Sequence, residues 1–196
     1  MIKTIAMLRE EYKDYVNPTE KIRRLVQQGD LIPIVRGMYE TNRSTPGHYL
    51  ASVIYGPSYL SFEFALGFYA LIPEAVYNFT SATFEKKKKK EHKTPFGVFS
   101  YRDVPSDVYP YGVHLHSENG YGFQMASPEK AICDMLYKVA SVRNKMEIEQ
   151  LLFEDLRVDK DAFWKLNLLE LYDLAGRYKT MNHKLLRKLI RRRIEE

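Results

Sequence analysis

The stretch that most constrains this chain runs from Pro57 to Thr83, PSYLSFEFALGFYALIPEAVYNFTSAT. Between Leu60 and Ile72 its only charge is Glu63. The pattern predicts a helix over Leu60–Ile72, with Ser61 as N-cap, Leu60 and Ala65 as a small hydrophobic staple, and Pro73 as the stop. Apolar residues surround nearly the whole helix, so it belongs in an interior, covered on more than one side. At about thirteen residues it is too short to span a bilayer. After Pro73 the residues turn β-branched and aromatic (Val76, Tyr77, Phe79, Thr80, Thr83, Phe84), which predicts a strand. A buried helix feeding a strand implies an α+β domain whose remaining elements cover it.

The 196 residues suffice for one large domain or two small ones, and 45% hydrophobic content excludes a disordered chain. No apolar run is long enough for a membrane span, and the N-terminal MIKTIAMLREE lacks the h-region of a signal peptide. A cytoplasmic, membrane-free protein is expected. The lone Cys133 lies among apolar helix neighbours, which predicts a buried, unreactive thiol. The net charge of +5 is unevenly spread. Residues 1–40 carry seven Lys/Arg and six Asp/Glu, the stretch from Lys179 to Glu196 carries seven basic and two acidic residues, and Lys86 to Lys90 are consecutive lysines.

The N-terminal segment predicts a helix over Ile2–Tyr12, then a second one starting at Asn17-Pro18-Thr19-Glu20. In the second, Ile22, Leu25 and Val26 form the inner stripe, and Gly29 is the C-terminal cap. A hairpin follows, Leu31–Val35 and Met38–Thr41, around Arg36-Gly37. Helix, capped helix and hairpin outline a winged helix-turn-helix over residues 1–42. In such a module the second helix enters the major groove and the hairpin tip reaches the backbone or minor groove. The candidate DNA contacts are Lys21, Arg23, Arg24, Gln27, Gln28 and Arg36, because Arg and Gln can pair bidentately with guanine and adenine edges. An outward charged face is also what solvation alone requires. A full module has three helices before the wing, whereas about sixteen residues precede Asn17, so the module is abridged. Its near-neutral charge does not favour strong unaided DNA binding.

Residues 42–47 form a polar linker, and residues 47–196 are read as the α+β domain. His48–Tyr55 predicts a short helix. Lys86, Lys87, Lys88, Lys89 and Lys90 fall in a loop between the Val76–Phe84 strand and a return strand at Thr94–Asp103, exposed and able to support phosphate contacts. Val113–His116 and Gly120–Ala126 complete a four-stranded, mostly antiparallel sheet. His114 and His116 share a strand face, but no third metal ligand is evident. Ser127-Pro128-Glu129 opens another helix, with Ala131, Ile132, Met135, Leu136 and Val139 inward. Glu129, Lys130 and Asp134 suggest a nuclease only in composition, since the required acidic–lysine spacing is missing. Four further helices close the chain, over Asn144–Asp155, Lys160–Leu166, Leu168–Tyr178 and Met181–Ile194. The last is basic and amphipathic, with Leu185, Leu186, Leu189 and Ile190 on one side.

Three blocks, taken in order, resemble the AbiEi family: the Pro57–Thr83 run, Phe96-Gly97-Val98-Phe99-Ser100-Tyr101, and Ala126-Ser127-Pro128-Glu129-Lys130-Ala131-Ile132-Cys133-Asp134. The resemblance covers most of residues 17–140. It implies the antitoxin and transcriptional regulator of a type IV, abortive-infection toxin–antitoxin system of phage defence. It further implies a winged helix that binds operator DNA in its own promoter. The implied functional partner is a nucleotidyltransferase-like toxin, countered without requiring a stable complex. No cofactor and no catalytic residue are expected from the motifs, since nucleophile elbow, phosphate loop and zinc cluster are missing. Two other readings stay open on the residues alone. One is a metal-dependent nuclease using Glu63, Glu129 and Asp134. The other is a protein-interaction module whose basic loop docks on an acidic partner.

Overall fold

The computed structural model describes residues 1–195 and divides its strands between two sheets. The N-terminal segment holds strand β1 (Ile2–Thr4), helices α1 (Ile5–Glu11) and α2 (Pro18–Gln28), and strands β2 (Ile32–Val35) and β3 (Met38–Glu40). β3 lies between β1 and β2 and is antiparallel to both. The helix expected over Ile2–Tyr12 therefore starts three residues late. Ile2–Thr4 is extended because it has β3 to pair with, and Thr4 caps α1 by accepting from the Met7 N–H. The Asn17 cap accepts from Glu20 N, and Gly29 closes α2 at φ 85°. Leu8, Ile22 and Leu31 form a small core here, packed by Ile5, Tyr12, Leu25, Val26 and Tyr39.

The larger sheet has six strands in the order β6-β7-β5-β4-β9-β8. They are β4 (Tyr59–Leu60), β5 (Asn78–Thr83), β6 (Lys90–Thr94), β7 (Gly97–Asp103), β8 (Val113–Glu118) and β9 (Tyr121–Ala126). The pairings are mixed: β5–β7 and β4–β9 are parallel, while β4–β5, β6–β7 and β8–β9 are antiparallel. This corrects the four-stranded, mostly antiparallel expectation. The Thr94–Asp103 segment does not return antiparallel to β5. Lys90–Thr94 forms an edge strand first, and β7 then turns back at Pro95-Phe96 to lie parallel to β5. At the other end, Asn119 and Gly120 take φ 51° and 79°, as a two-residue hairpin turn demands.

The central helix is shorter than its apolar run. Tyr59 and Leu60 are strand β4, and helix α4 spans only Phe62–Phe68. It ends at Ala70, which adopts φ 54°, with Leu71 N donating to Leu66 O and Ala70 N to Gly67 O. That left-handed cap stops the helix before Pro73 is reached. Ser61 stands at the N-cap position, but its hydroxyl is used elsewhere. Thr80 of β5 caps the helix instead, accepting from Phe64 N and donating to Ser61 O. Phe62, Phe64, Ala65 and Leu66 are buried, the three large side chains each worth about 1.5–3 kcal/mol.

The register sorts the layers. Tyr59, Ala82 and Arg102 are partners across neighbouring strands and share one face; Leu60, Ser81, Tyr101 and Met125 share the other. On the second face lie a 3₁₀ turn (Gly47–Leu50) and helix α3 (Ala51–Ile54), reached by the Tyr101 hydroxyl at Ala51 O and by Phe123 against His48. The single His48–Tyr55 helix is thus two short pieces. On the first face lies helix α5 (Pro128–Lys138), reached by the Tyr59 hydroxyl at Asp134. Helices α6 (Lys145–Gln150), α7 (Lys160–Phe163), α8 (Leu168–Arg177) and α9 (Met181–Glu195) follow, with α8 and α9 against α5. α6 runs into a π turn at Leu151–Asp155.

Candidate nucleic-acid interface

The amphipathic logic of α2 holds: Ile22 is buried, Leu25 and Val26 are half-buried, and Arg23, Arg24, Gln27 and Gln28 are exposed. Lys21 is half-buried, its ammonium lying 5.3 Å from the Tyr15 ring centroid and 6.0 Å from that of Tyr12. Lys21, Arg24 and Gln28 line a shallow concavity of about 440 Å3 with Tyr15, Val16, Asn17 and Glu20. Glu20 sits in the row of cations, 3.0 Å from Arg23 and 3.5 Å from Arg24. The Arg23 hydrogen bond leads in holding the Glu20 carboxyl below the usual range, with the charges of Arg23 and Arg24 adding to it and desolvation opposing. A phosphate or base edge approaching Arg23 or Arg24 must therefore exchange with this carboxylate.

Arg36 is exposed at the tip of the β2–β3 hairpin, where Val35 pairs with Met38 and Gly37 takes φ 80°. Ile5 N donates to Gly37 O at 2.8 Å, so the start of α1 fixes the tip. The lysine run is elsewhere and is less free than a loop. Lys90 is already in β6, Lys87 N donates to Asp103 Oδ2 at 2.6 Å, and the Lys86 ammonium lies 5.3 Å from the Tyr55 ring. Lys89 and Lys90 line a cleft of about 770 Å3 with Glu63, Tyr77, Arg102, Asp155 and others.

Glu40 joins the small sheet to the large one. Its buried carboxylate accepts from the Met1 amino group, from Thr41 N at 2.8 Å, from Asn42 N at 3.0 Å and from the Tyr121 hydroxyl at 2.9 Å. Burial works to raise its pKa. The four donors outweigh that and hold it below the usual carboxylate value. Sequence reading passed over Glu40, because a carboxylate at a strand end looks solvated until its distant partner Tyr121 is known.

The carboxylates of the nuclease reading are not convergent. Glu63 pairs with Arg102, whose guanidinium also lies 4.1 Å from the Phe62 ring. Glu129 accepts from Asn167 N at 2.9 Å. Asp134 is fully buried and saturated: it accepts from Tyr59 at 2.9 Å, from Ser61 at 2.7 Å and from Tyr178, and it pairs with Lys130 at 3.2 Å. The equally buried Lys130 also donates to Val108 O and to the Tyr178 hydroxyl. Burial first, and the Asp134 charge second, push the Tyr59 and Tyr178 hydroxyls well above the usual phenol value.

Beside this network, His183 stacks on Tyr178 at 4.2 Å. Its Nε2 is 2.9 Å from Cys133 O, a pure acceptor, so Nε2 carries the hydrogen and Nδ1 accepts from Thr180 at 2.7 Å. Burial pulls its pKa down to about 4. Cys133 is buried and its thiol is pushed up by burial, in keeping with the inert thiol expected. His114 is exposed, and His116 stacks on Phe123 at 5.2 Å. Among the described residues no group of three or more side chains has metal-ligand geometry, and no helix is long and apolar enough to cross a membrane. Comparison of the chain with protein-family models and with curated proteins gives no match in either.

Proposed function

We propose that this chain is a DNA-binding transcriptional autorepressor and the antitoxin of an AbiEi-type toxin–antitoxin pair. In this reading residues 1–42 are a winged helix-turn-helix with two helices. α2 is the recognition helix and the Arg36 tip is the wing. The observation that carries it is the row Arg23, Arg24, Gln27 and Gln28, all exposed on a helix whose opposite side is packed against α1 and β3. Those are the side chains whose donor and acceptor patterns fit guanine and adenine edges in the major groove. Arg36 supplies a backbone or minor-groove contact, and Lys86–Lys90 give added phosphate contacts. The near balance of charge in this segment means that specificity has to come from the paired contacts of α2 more than from bulk attraction. The partner is a nucleotidyltransferase-like toxin, neutralised by the larger unit without an obligatory stable complex.

The test is a reporter driven by the chain's own upstream DNA, beside a growth assay in which a nucleotidyltransferase-like toxin is co-expressed with the chain. Repression by the wild type, relief by Arg24→Ala, and rescue of growth by both proteins are expected. A reporter indifferent to the chain refutes the repressor reading. Growth arrest unaffected by the chain refutes the antitoxin reading.

A further inference from the structure

A strongly basic helix, α9, lies on the sheet face opposite the one that holds Ala51 and His48. The helix carries Lys184, Arg187, Lys188, Arg191, Arg192 and Arg193, and among the described residues only Arg191 has an ion-pair partner, Glu195. Its apolar row, Leu185, Leu186, Leu189 and Ile190, is buried, so it is not free to enter a bilayer.

Between α8 and α9 runs a groove of about 380 Å3 whose lining holds four cations and no acid: Lys184, Arg187, Lys188 and Arg191, with Tyr172 at one wall. Lys184, Lys188 and Arg191 recur once per turn, about 6 Å and 4.5 Å apart along the axis. The carbon of the Arg187 guanidinium lies over the Tyr172 ring, 4.0 Å from its centroid. Gly176, one turn further along α8, makes room for it: a Cβ there would come within 3.3 Å of the guanidinium carbon. Arg187 Nε is buried and has no hydrogen-bond partner among the described residues. The groove thus combines two lysines unpaired among the described residues and the Glu195-paired Arg191 with a cation–aromatic contact between Arg187 and Tyr172.

We propose that the α8–α9 groove binds single-stranded RNA, with the lysines and Arg191 following the phosphates and the Arg187–Tyr172 stack receiving an unpaired base. Charge fixes the occupant as a polyanion. The Arg187–Tyr172 contact selects one whose bases are unpaired, because a duplex hides its base faces. Unpaired bases are the ordinary state of RNA loops and ends. The inference is independent of operator binding by α2.

The experiment is fluorescence anisotropy of a labelled oligouridylate against the full chain, over a salt series, with oligothymidylate and blunt RNA duplex alongside. Three to four phosphate contacts predict a log–log salt slope of about −2 to −3. Lys184→Glu combined with Lys188→Glu changes two exposed side chains, and its unfolding curve serves as the check on folding. It should weaken oligouridylate binding at least about tenfold and flatten the slope by about 1.4. Arg24→Ala should leave this binding unchanged. No binding by the wild type, equal binding by the double variant, or duplex binding as tight as single-strand binding overturns the proposal. Oligothymidylate binding as tight as oligouridylate overturns the assignment to RNA. Displacement by polyglutamate at equal charge indicates an acidic polypeptide as occupant, and that also overturns it.

Discussion

Replacing Asp134 by Ala should be among the most damaging single changes in the chain. Asp134 is the shared acceptor of Tyr59, Ser61 and Tyr178 and the counter-ion of Lys130, and both charged residues have no solvent exposure. Loss of the carboxylate leaves an ammonium buried and three hydroxyls short of an acceptor. Removing one partner of a buried pair costs about 3–5 kcal/mol. That is a large share of a total of about 5–15 kcal/mol. With a urea slope of about 2 kcal/mol/M the midpoint should fall by about 2 M. Lys130→Met should cost a similar amount, while combining it with Asp134→Ala should cost less than the sum by about 2 kcal/mol or more. Urea unfolding followed by tryptophan fluorescence and circular dichroism reads all four proteins. A loss below about 1 kcal/mol for Asp134→Ala, or strict additivity in the pair, refutes the claim that this network ties β4, α5 and the α8–α9 junction together.

The remaining expectations are smaller. His183 has a folded pKa of about 4, against about 6.5 unfolded. The unfolded chain therefore binds more protons between those values, and stability falls as pH drops through that window. Between pH 6.5 and 5 the loss should reach about 1.5 kcal/mol, and His183→Gln should flatten this slope in urea titrations at each pH. Tyr121→Phe removes one donor from the buried Glu40 carboxylate and should cost about 1.5–3 kcal/mol, seen as a lower denaturation midpoint; an unchanged midpoint contradicts the linking role of Glu40. Ala70→Gly should raise stability by about 0.5–1 kcal/mol, since Ala70 is exposed and holds a left-handed backbone at the end of α4; a loss of stability counts against the cap.

What could be read from sequence was mainly local. The caps at Asn17 and Ser127 appear where expected, each accepting from the N–H three residues on. Local order also places the β2–β3 and β8–β9 hairpins and the outward row of α2. The parallel β5–β7 pairing was illegible because it depends on an edge strand built from K-E-H-K-T, whose composition looks like loop. The early stop of α4 was hidden because Ala70 favours helix on its own, and only the fold around it selects φ 54°. Lys130 and Asp134 are one helical turn apart, which on sequence alone describes an exposed pair. Their burial comes from Tyr59 and Tyr178, far away in the chain. The same distance hid the α8–α9 groove: its lysines were plain in the sequence, whereas Tyr172 belongs to another helix.

The central claim is that α2 reads a specific duplex. The most direct measurement is binding of the full chain to its own upstream DNA and to a scrambled duplex across a salt series. A preference for the native duplex that persists as salt rises is expected. Arg24→Ala should abolish that preference, while Arg36→Ala should weaken both duplexes together. Equal affinity for the two duplexes, falling steeply together with salt, or a preference that survives Arg24→Ala, would contradict the claim.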